Sequence, residues 1–264
     1  MRDPFQEKIV DFVLARRHEK GGFGAAPTLP PSVEDTYLSL RILQQLPLQE
    51  KPEAAAVIED PSLAQFLLDP QDSEQWLART GFHYAYCCRI AHVKPDAAWA
   101  KQFVSNRLQD VRGLAGAFYC SRMITTLSAW FPELPPFSLK SGTIPWRTAR
   151  DVRMALFLAD GQPRKLHADR KHLVVWLRSC QNPDGGFGFT PSTTSYLENV
   201  HACLQALAML KETSRNPSGA ASFIRNSWAK DGGFARKKGG APFLESTWHA
   251  VASLSLLNLL PQFR

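Results

Sequence analysis

Three glutamates stand at one fixed offset from a repeated tripeptide. Gly-Gly-Phe begins at Gly21, Gly185 and Gly232, and eleven positions after its Phe (Phe23, Phe187, Phe234) comes a glutamate: Glu34, Glu198 and Glu245. Two of them have a histidine on the same helical face: His201 follows Glu198 by three residues, and His249 follows Glu245 by four. Glu and His paired this way on facing helices bind metals in helical bundles. They also work as acid–base pairs. A third use is simpler, since a carboxylate in a first helical turn meets the positive end of the helix dipole. The spacing leaves the three open, with Glu34, Glu198, His201, Glu245 and His249 as the candidate catalytic residues.

A second set suits binding. Tyr37, Tyr84, Tyr86, Phe118, Tyr119 and Trp248 fall on one class of candidate helix. Several rings at matching depth would suit a hydrocarbon chain or a carbocation, which π faces attract; for any single ring, core packing is the plainer use. Tyr37, Tyr84 and Trp248 are the candidates for ligand contact. Arg147, Arg150 and Arg153 follow Trp146 at a spacing of three, on one helix face. Guanidinium forks suit phosphate or diphosphate; with Asp151 among them, a salt-bridged or solvated face fits as well.

The remaining basic runs are Arg164-Lys165, Arg170-Lys171 and Arg236-Lys237-Lys238. They read as plain surface, or as a patch holding one end of the fold against anionic lipid, a peripheral membrane contact. Residues 1–132 hold 14 Lys/Arg against 15 Asp/Glu, and residues 133–264 hold 17 against 9, so the second half carries the whole net charge of +7. No helix-turn-helix, zinc finger or basic–aromatic motif accompanies that charge, and nucleic acid is not expected as a partner.

These residues need helices to position them. The three repeats share an aliphatic-rich helical stretch after each Glu, as in GGFGFTPSTTSYLENVHACLQAL from Gly185. The last two repeats start 47 residues apart and the first two 164 apart, which leaves room for three degenerate copies. Periods of this size mean arrays of one supersecondary unit. The unit reads as a helix, a Gly-rich turn with positive φ, and a second helix. Ser195-Tyr-Leu-Glu198 has the form of a capping box, and Ser32-Val-Glu-Asp35 a looser one. Second helices are expected to start near 32, 74–80, 113, 146, 195 and 243. First helices are expected over 4–17, 61–70, 96–108, 163–180 and 217–229. The prolines of 131–145 hide or remove a sixth. The apolar runs keep a helical spacing and no strand candidate survives. The expectation is an all-α domain over 1–264, about six hairpins with inner and outer helices around a central cavity. No apolar run is long enough to span a membrane. Five cysteines without metal spacing, and an N-terminus without a secretory core, fit a cytoplasmic protein.

The run Gln181-Asn-Pro-Asp-Gly-Gly-Phe-Gly188 resembles the repeat shared by protein prenyltransferase β subunits and squalene or terpenoid cyclases. Asp35-Thr-Tyr-Leu-Ser-Leu40 and His249-Ala-Val-Ala-Ser-Leu254 look like its inner helices. The resemblance implies an α/α toroid with an aromatic-lined cavity, an isoprenoid or similar lipid ligand, and prenyltransferase-like or cyclase-like chemistry. It also implies a protein partner, as those β subunits have. Prenyltransferase β subunits hold zinc with Asp-x-Cys in one repeat and His in the next. The aligned positions here are Tyr196, Glu198 and Ser246, so neither a metal nor another cofactor is expected. The family's diphosphate-binding Arg and Lys correspond to Thr190 and Thr193. The acid motif of alkene-protonating cyclases, Asp-x-Asp-Asp, has its nearest match in Ser32-Val-Glu-Asp-Thr36, which lacks the first carboxylate. The alternative to an enzyme is a non-catalytic toroid that binds a lipid or a protein.

Overall fold

Short polar residues start many of the helices. In a computed structural model that describes residues 4–46, 52–70, 73–137, 146–162 and 168–260, Ser32 accepts from the backbone N–H of Asp35, Asp96 from that of Trp99 and Asp169 from that of His172. Asp60 and Asn216 do the same just before Pro61 and Pro217, where proline is already set for the first helical turn. Thr148 and Asp151 form a reciprocal capping box. Among the described residues there are twelve α-helices: α1 Pro4–Leu14, α2 Val33–Gln45, α3 Pro52–Ile58, α4 Pro61–Leu68, α5 Ala78–Ile90, α6 Ala97–Gln109, α7 Gly113–Leu127, α8 Ala149–Leu158, α9 Arg170–Ser179, α10 Leu197–Met209, α11 Pro217–Asn226 and α12 Leu244–Leu256. No strand forms among those residues; isolated bridges such as Gln181 to Phe187 pinch the turns.

Six second helices thus stand where the repeat places them: α2, α5, α7, α8, α10 and α12. Three details differ from the sequence reading. Ser195 does not cap α10, because its hydroxyl donates to Asp184 Oδ1 and accepts from Asn182 Nδ2; Tyr196 is the cap residue and offers no side-chain bond. The helix α3 and the 3₁₀ turn Ser73–Gln75 were not foreseen. Residues 131–137 are turn and extended chain rather than a first helix, while 138–145 and the Arg164-Lys165 run lie outside the described residues.

The chain divides into two compact units. One is Val13–Lys140; the other joins Met1–Phe12 to Ser141–Arg264. In the first, α2, α5 and α7 pack side by side, with α4 against α5 and α6 against α7. In the second, α8, α10 and α12 pack side by side, with α9 against α10 and α11 against α12.

One joint recurs at each Gly-Gly-Phe. The phenylalanines Phe23, Phe187 and Phe234 are buried, a gain of roughly 2–3 kcal/mol apiece. The first glycine has positive φ and lies on the backbone of a neighbouring helix. A Cβ on Gly185 would sit 2.1 Å from the Gly219 carbonyl oxygen of α11, one on Gly21 would strike Ser62 of α4, and one on Gly232 would strike Lys8 of α1. The residue that bridges each Phe clamps the same helix. Gln181 donates to Asn216 O at 2.7 Å and accepts from Asn216 N at 2.8 Å. Arg17 pairs with Asp60, the cap of α4. Trp228 packs tilted against Phe5 of α1, ring centres 4.6 Å apart. So α1 serves the last repeat as α4 serves the first and α11 the second.

Candidate functional site

Each of the three glutamates is the second residue of its helix, α2, α10 or α12. Glu34 binds Arg79, itself the second residue of α5. Glu198 binds Arg236, whose Nε lies 2.6 Å from Glu198 Oε1. Glu245 faces His249 one turn on, with Oε1 3.9 Å from Nε2. In two repeats, then, the carboxylate joins its helix to the following repeat.

In the C-terminal unit the sequence candidates come together on α8, α10 and α12. His201 on α10 and His249 on α12 face each other with their Nδ1 atoms 2.9 Å apart. At that distance one Nδ1 carries the proton and donates to the other. Glu245 Oε1 stands on the far side of the His249 ring, near Nε2. Trp248 lies edge-on to His201 at 5.7 Å and is buried. Beside them Arg153 of α8 donates to Gln205 Oε1 of α10 at 3.1 Å. The other two arginines of that run point elsewhere: Arg147 precedes the helix, Arg150 is in its first turn, and both are exposed.

The positions aligned with the family's zinc ligands hold a different arrangement. Arg236 places its guanidinium carbon 4.0 Å over the Tyr196 ring and binds Glu198, and Ser246 is buried. Glu198 and its aromatic cradle hold the arginine, whose pKa is raised first by its hydrogen bond to Glu198. Tyr196 and Ser246 offer a phenol and an alcohol where zinc takes thiolate, imidazole or carboxylate, and the Glu198 carboxylate is paired with Arg236.

In the N-terminal unit, Tyr37 and Tyr84 part company. Tyr84 is buried between Trp76 and Trp99, at 5.3 and 4.8 Å, and its hydroxyl donates to Leu67 O of α4 at 2.9 Å. It belongs to the packing of α5 against α4 and α6. Tyr37 lies on the other face of α5. It stacks on His83 at 4.0 Å and meets Phe82 and Tyr86 edge-on at 5.6 and 5.2 Å. Phe118 and Tyr119 of α7 extend that cluster. Burial holds the His83 imidazole neutral, with its pKa down to about 3, and the cations of Arg79 and Arg122 push the same way. Among the described residues His83 Nδ1 has no hydrogen-bond partner. Sequence reasoning missed His83 and Arg122, since neither carries a repeat signal.

With this geometry in hand, the family model of the prenyltransferase alpha-alpha toroid domain matches residues 1–141 and 152–264. The chain belongs to the prenyltransferase alpha-alpha toroid family. Its fold is accordingly the all-α toroid, built of paired helices. A search of curated proteins finds no match. Among the described residues no helix is long and apolar enough to cross a membrane.

Proposed function

We propose that this toroid binds an isoprenoid or similar lipid against the aromatic faces of its second helices, and acts on it without zinc. The observation that carries the reading is the His201–His249 pair, Nδ1 to Nδ1 at 2.9 Å, with Trp248 edge-on to it. Imidazoles titrate near neutrality. An imidazole of the pair can take the proton from the allylic carbocation left when the C–O bond of an isoprenoid diphosphate breaks and the diphosphate departs, giving an alkene, and the Trp248 ring would stabilise that cation. Zinc has no part in this chemistry, since Arg236 with Tyr196 and Glu198 stands at the family's metal position. Five buried, unbridged thiols fit the cytoplasm. Exposed Phe189 and Phe243, and the exposed Lys237 and Lys238, support a peripheral contact with anionic lipid.

A second reading has its own support. Glu34 and Glu198 are tied up by Arg79 and Arg236, so two of the three carboxylates are joints rather than acids. This favours a toroid that binds a lipid or a protein partner without catalysis. One experiment covers both. The full-length protein is examined by native mass spectrometry for retained lipid, then incubated with farnesyl diphosphate and with squalene, and the extracts are analysed for new hydrocarbons. A retained isoprenoid and a new product that disappears in His201→Gln and His249→Gln, with binding kept, is the expected result. Binding without product selects the second reading. No isoprenoid retained or bound overturns the lipid ligand altogether.

A further inference from the structure

Two of the five cysteines meet in the C-terminal unit. Cys180 closes α9, and Cys203 lies in the middle of α10. These are the helices on either side of the Gly185 turn, and they pack against each other. Both residues are buried and unbridged. Their thiols are hydrogen-bonded to one another, Cys203 donating and Cys180 accepting. Cys180 Sγ also donates to Trp176 O, one turn back, at 3.4 Å. The two sulfurs differ in depth. Cys180 stands at a helix end, between exposed Ser179 and a turn whose Pro183 and Asp184 are exposed. Its carbonyl accepts from Gly188 N–H across that turn at 3.0 Å. Cys203 is in mid-helix, with Ala202, Leu204 and Ala206 buried on either side of it in the chain.

A thiol reacts as its thiolate. The S–H of Cys203 steadies negative charge on Cys180, and this hydrogen bond lowers the Cys180 pKa. Burial raises that of Cys203, and the same hydrogen bond raises it further. One sulfur is thus poised to attack near the surface, and the other stands behind it to resolve. The remaining thiols have no such arrangement. Burial pushes Cys88 up to about 12 and Cys120 up to about 11, and holds Cys87 well above its ordinary value.

We propose that Cys180 and Cys203 form a reversible disulfide when the protein meets hydrogen peroxide, and that this bond braces α9 against α10. The Cys180 thiolate attacks one peroxide oxygen, the O–O bond breaks, and the departing hydroxide takes up a proton as water. Cys180 is then a sulfenic acid. The Cys203 sulfur attacks the Cys180 sulfur, the S–O bond breaks, and hydroxide leaves with the Cys203 proton as a second water. Two thiols are oxidised by two electrons in all, and the peroxide is reduced to two waters. A dithiol reductant reverses the bond by exchange. The bridge falls one residue before Gln181, whose amide already clamps Asn216 at the start of α11. A covalent tie there restricts the unfolded chain between the two sulfurs. None of this depends on whether the toroid holds a lipid.

The test is a peptide map. The reduced full-length protein is treated with hydrogen peroxide, quenched with catalase, alkylated, digested without reductant and analysed by mass spectrometry. A peptide linked through Cys180 and Cys203 is expected, with Cys87, Cys88 and Cys120 alkylated. The oxidised protein is expected to melt at a higher temperature than the reduced one, and dithiothreitol to abolish the rise. Cys203→Ala removes the resolving sulfur, so dimedone is expected to label Cys180 after peroxide. Cys180→Ala is expected to give neither bridge nor label. Melts of the reduced variants report whether they fold, and the map of the wild-type protein decides the bridge without them. Cys180 and Cys203 both alkylated after peroxide, or bridged only once the protein is unfolded in urea, overturns the site. A bridged protein that melts no higher than the reduced one overturns the brace.

Discussion

His83 shows how much a single side chain reveals about the wall it sits in. Its ring is stacked on Tyr37 and buried, so it stays neutral with a pKa of about 3, first through burial and then through Arg79 and Arg122. The unfolded chain protonates an ordinary histidine near 6.5. Between those values the unfolded state binds more protons than the folded one, so stability falls as pH falls. His83 therefore contributes stability that is complete above about pH 6.5 and is lost on acidification, about 2 kcal/mol by pH 5. Phenylalanine keeps the ring stack and cannot titrate. His83→Phe should flatten the pH dependence of urea unfolding between pH 7 and pH 5 by about that amount. If wild type and variant lose the same stability over that range, His83 is not held neutral.

At the scale of elements, the joint at each Gly-Gly-Phe decides how one hairpin docks on the next. Gln181 is buried and its amide spans two elements, donating to Gly185 O and Asn216 O and accepting from Asn216 N. Gln181→Ala leaves those backbone groups without partners in a buried place, a loss of about 1–3 kcal/mol. Gly185→Ala should be worse. Its positive φ of 85° and a Cβ 2.1 Å from the Gly219 oxygen force α11 away. Chemical denaturation should rank Gly185→Ala below Gln181→Ala, and both below wild type; equal stability of the alanine variants and wild type would show that the turn is not a joint. This joint was legible in the sequence because the constraint is local: glycine is required where backbones touch, and it recurs at one offset from Glu. The capping role read for Ser195 failed because its hydroxyl is taken by Asp184 and Asn182, partners that belong to the turn rather than the helix. The pairs Glu34 with Arg79 and Arg41 with Tyr86 were not legible. Each joins residues 45 apart, across repeats whose middle copies have lost the Gly-Gly-Phe mark.

At the scale of the molecule, the first helix belongs with the last repeat. Gly232 lies on Lys8, Phe5 packs tilted against Trp228 at 4.6 Å and meets Phe234 at 6.0 Å, and Gln6 donates to Leu260 O. Periodicity alone showed α1 as the helix before the first Gly-Gly-Phe; its place beside the third is a tertiary fact, since nothing in the spacing names a partner more than 200 residues away. A weakness introduced in α1 should therefore appear far off in sequence. Phe5→Ala removes the ring that Trp228 and Phe234 pack on, a loss of about 3–5 kcal/mol where such a ring is fully buried and less here, since Phe5 is half-buried. Native-state hydrogen exchange reads where that loss falls. Amides of the Trp228–Phe234 turn, whose N–H groups bond back across it, should exchange faster, and α11 and α12 should follow as the outer support of the repeat is lost. Amides of α5 and α7 should keep their protection, because they pack within the Val13–Lys140 unit. Faster exchange confined to α2 and its preceding turn would mean that α1 serves the first repeat instead, and the docking of Gly232 on Lys8 would not be what holds the last one.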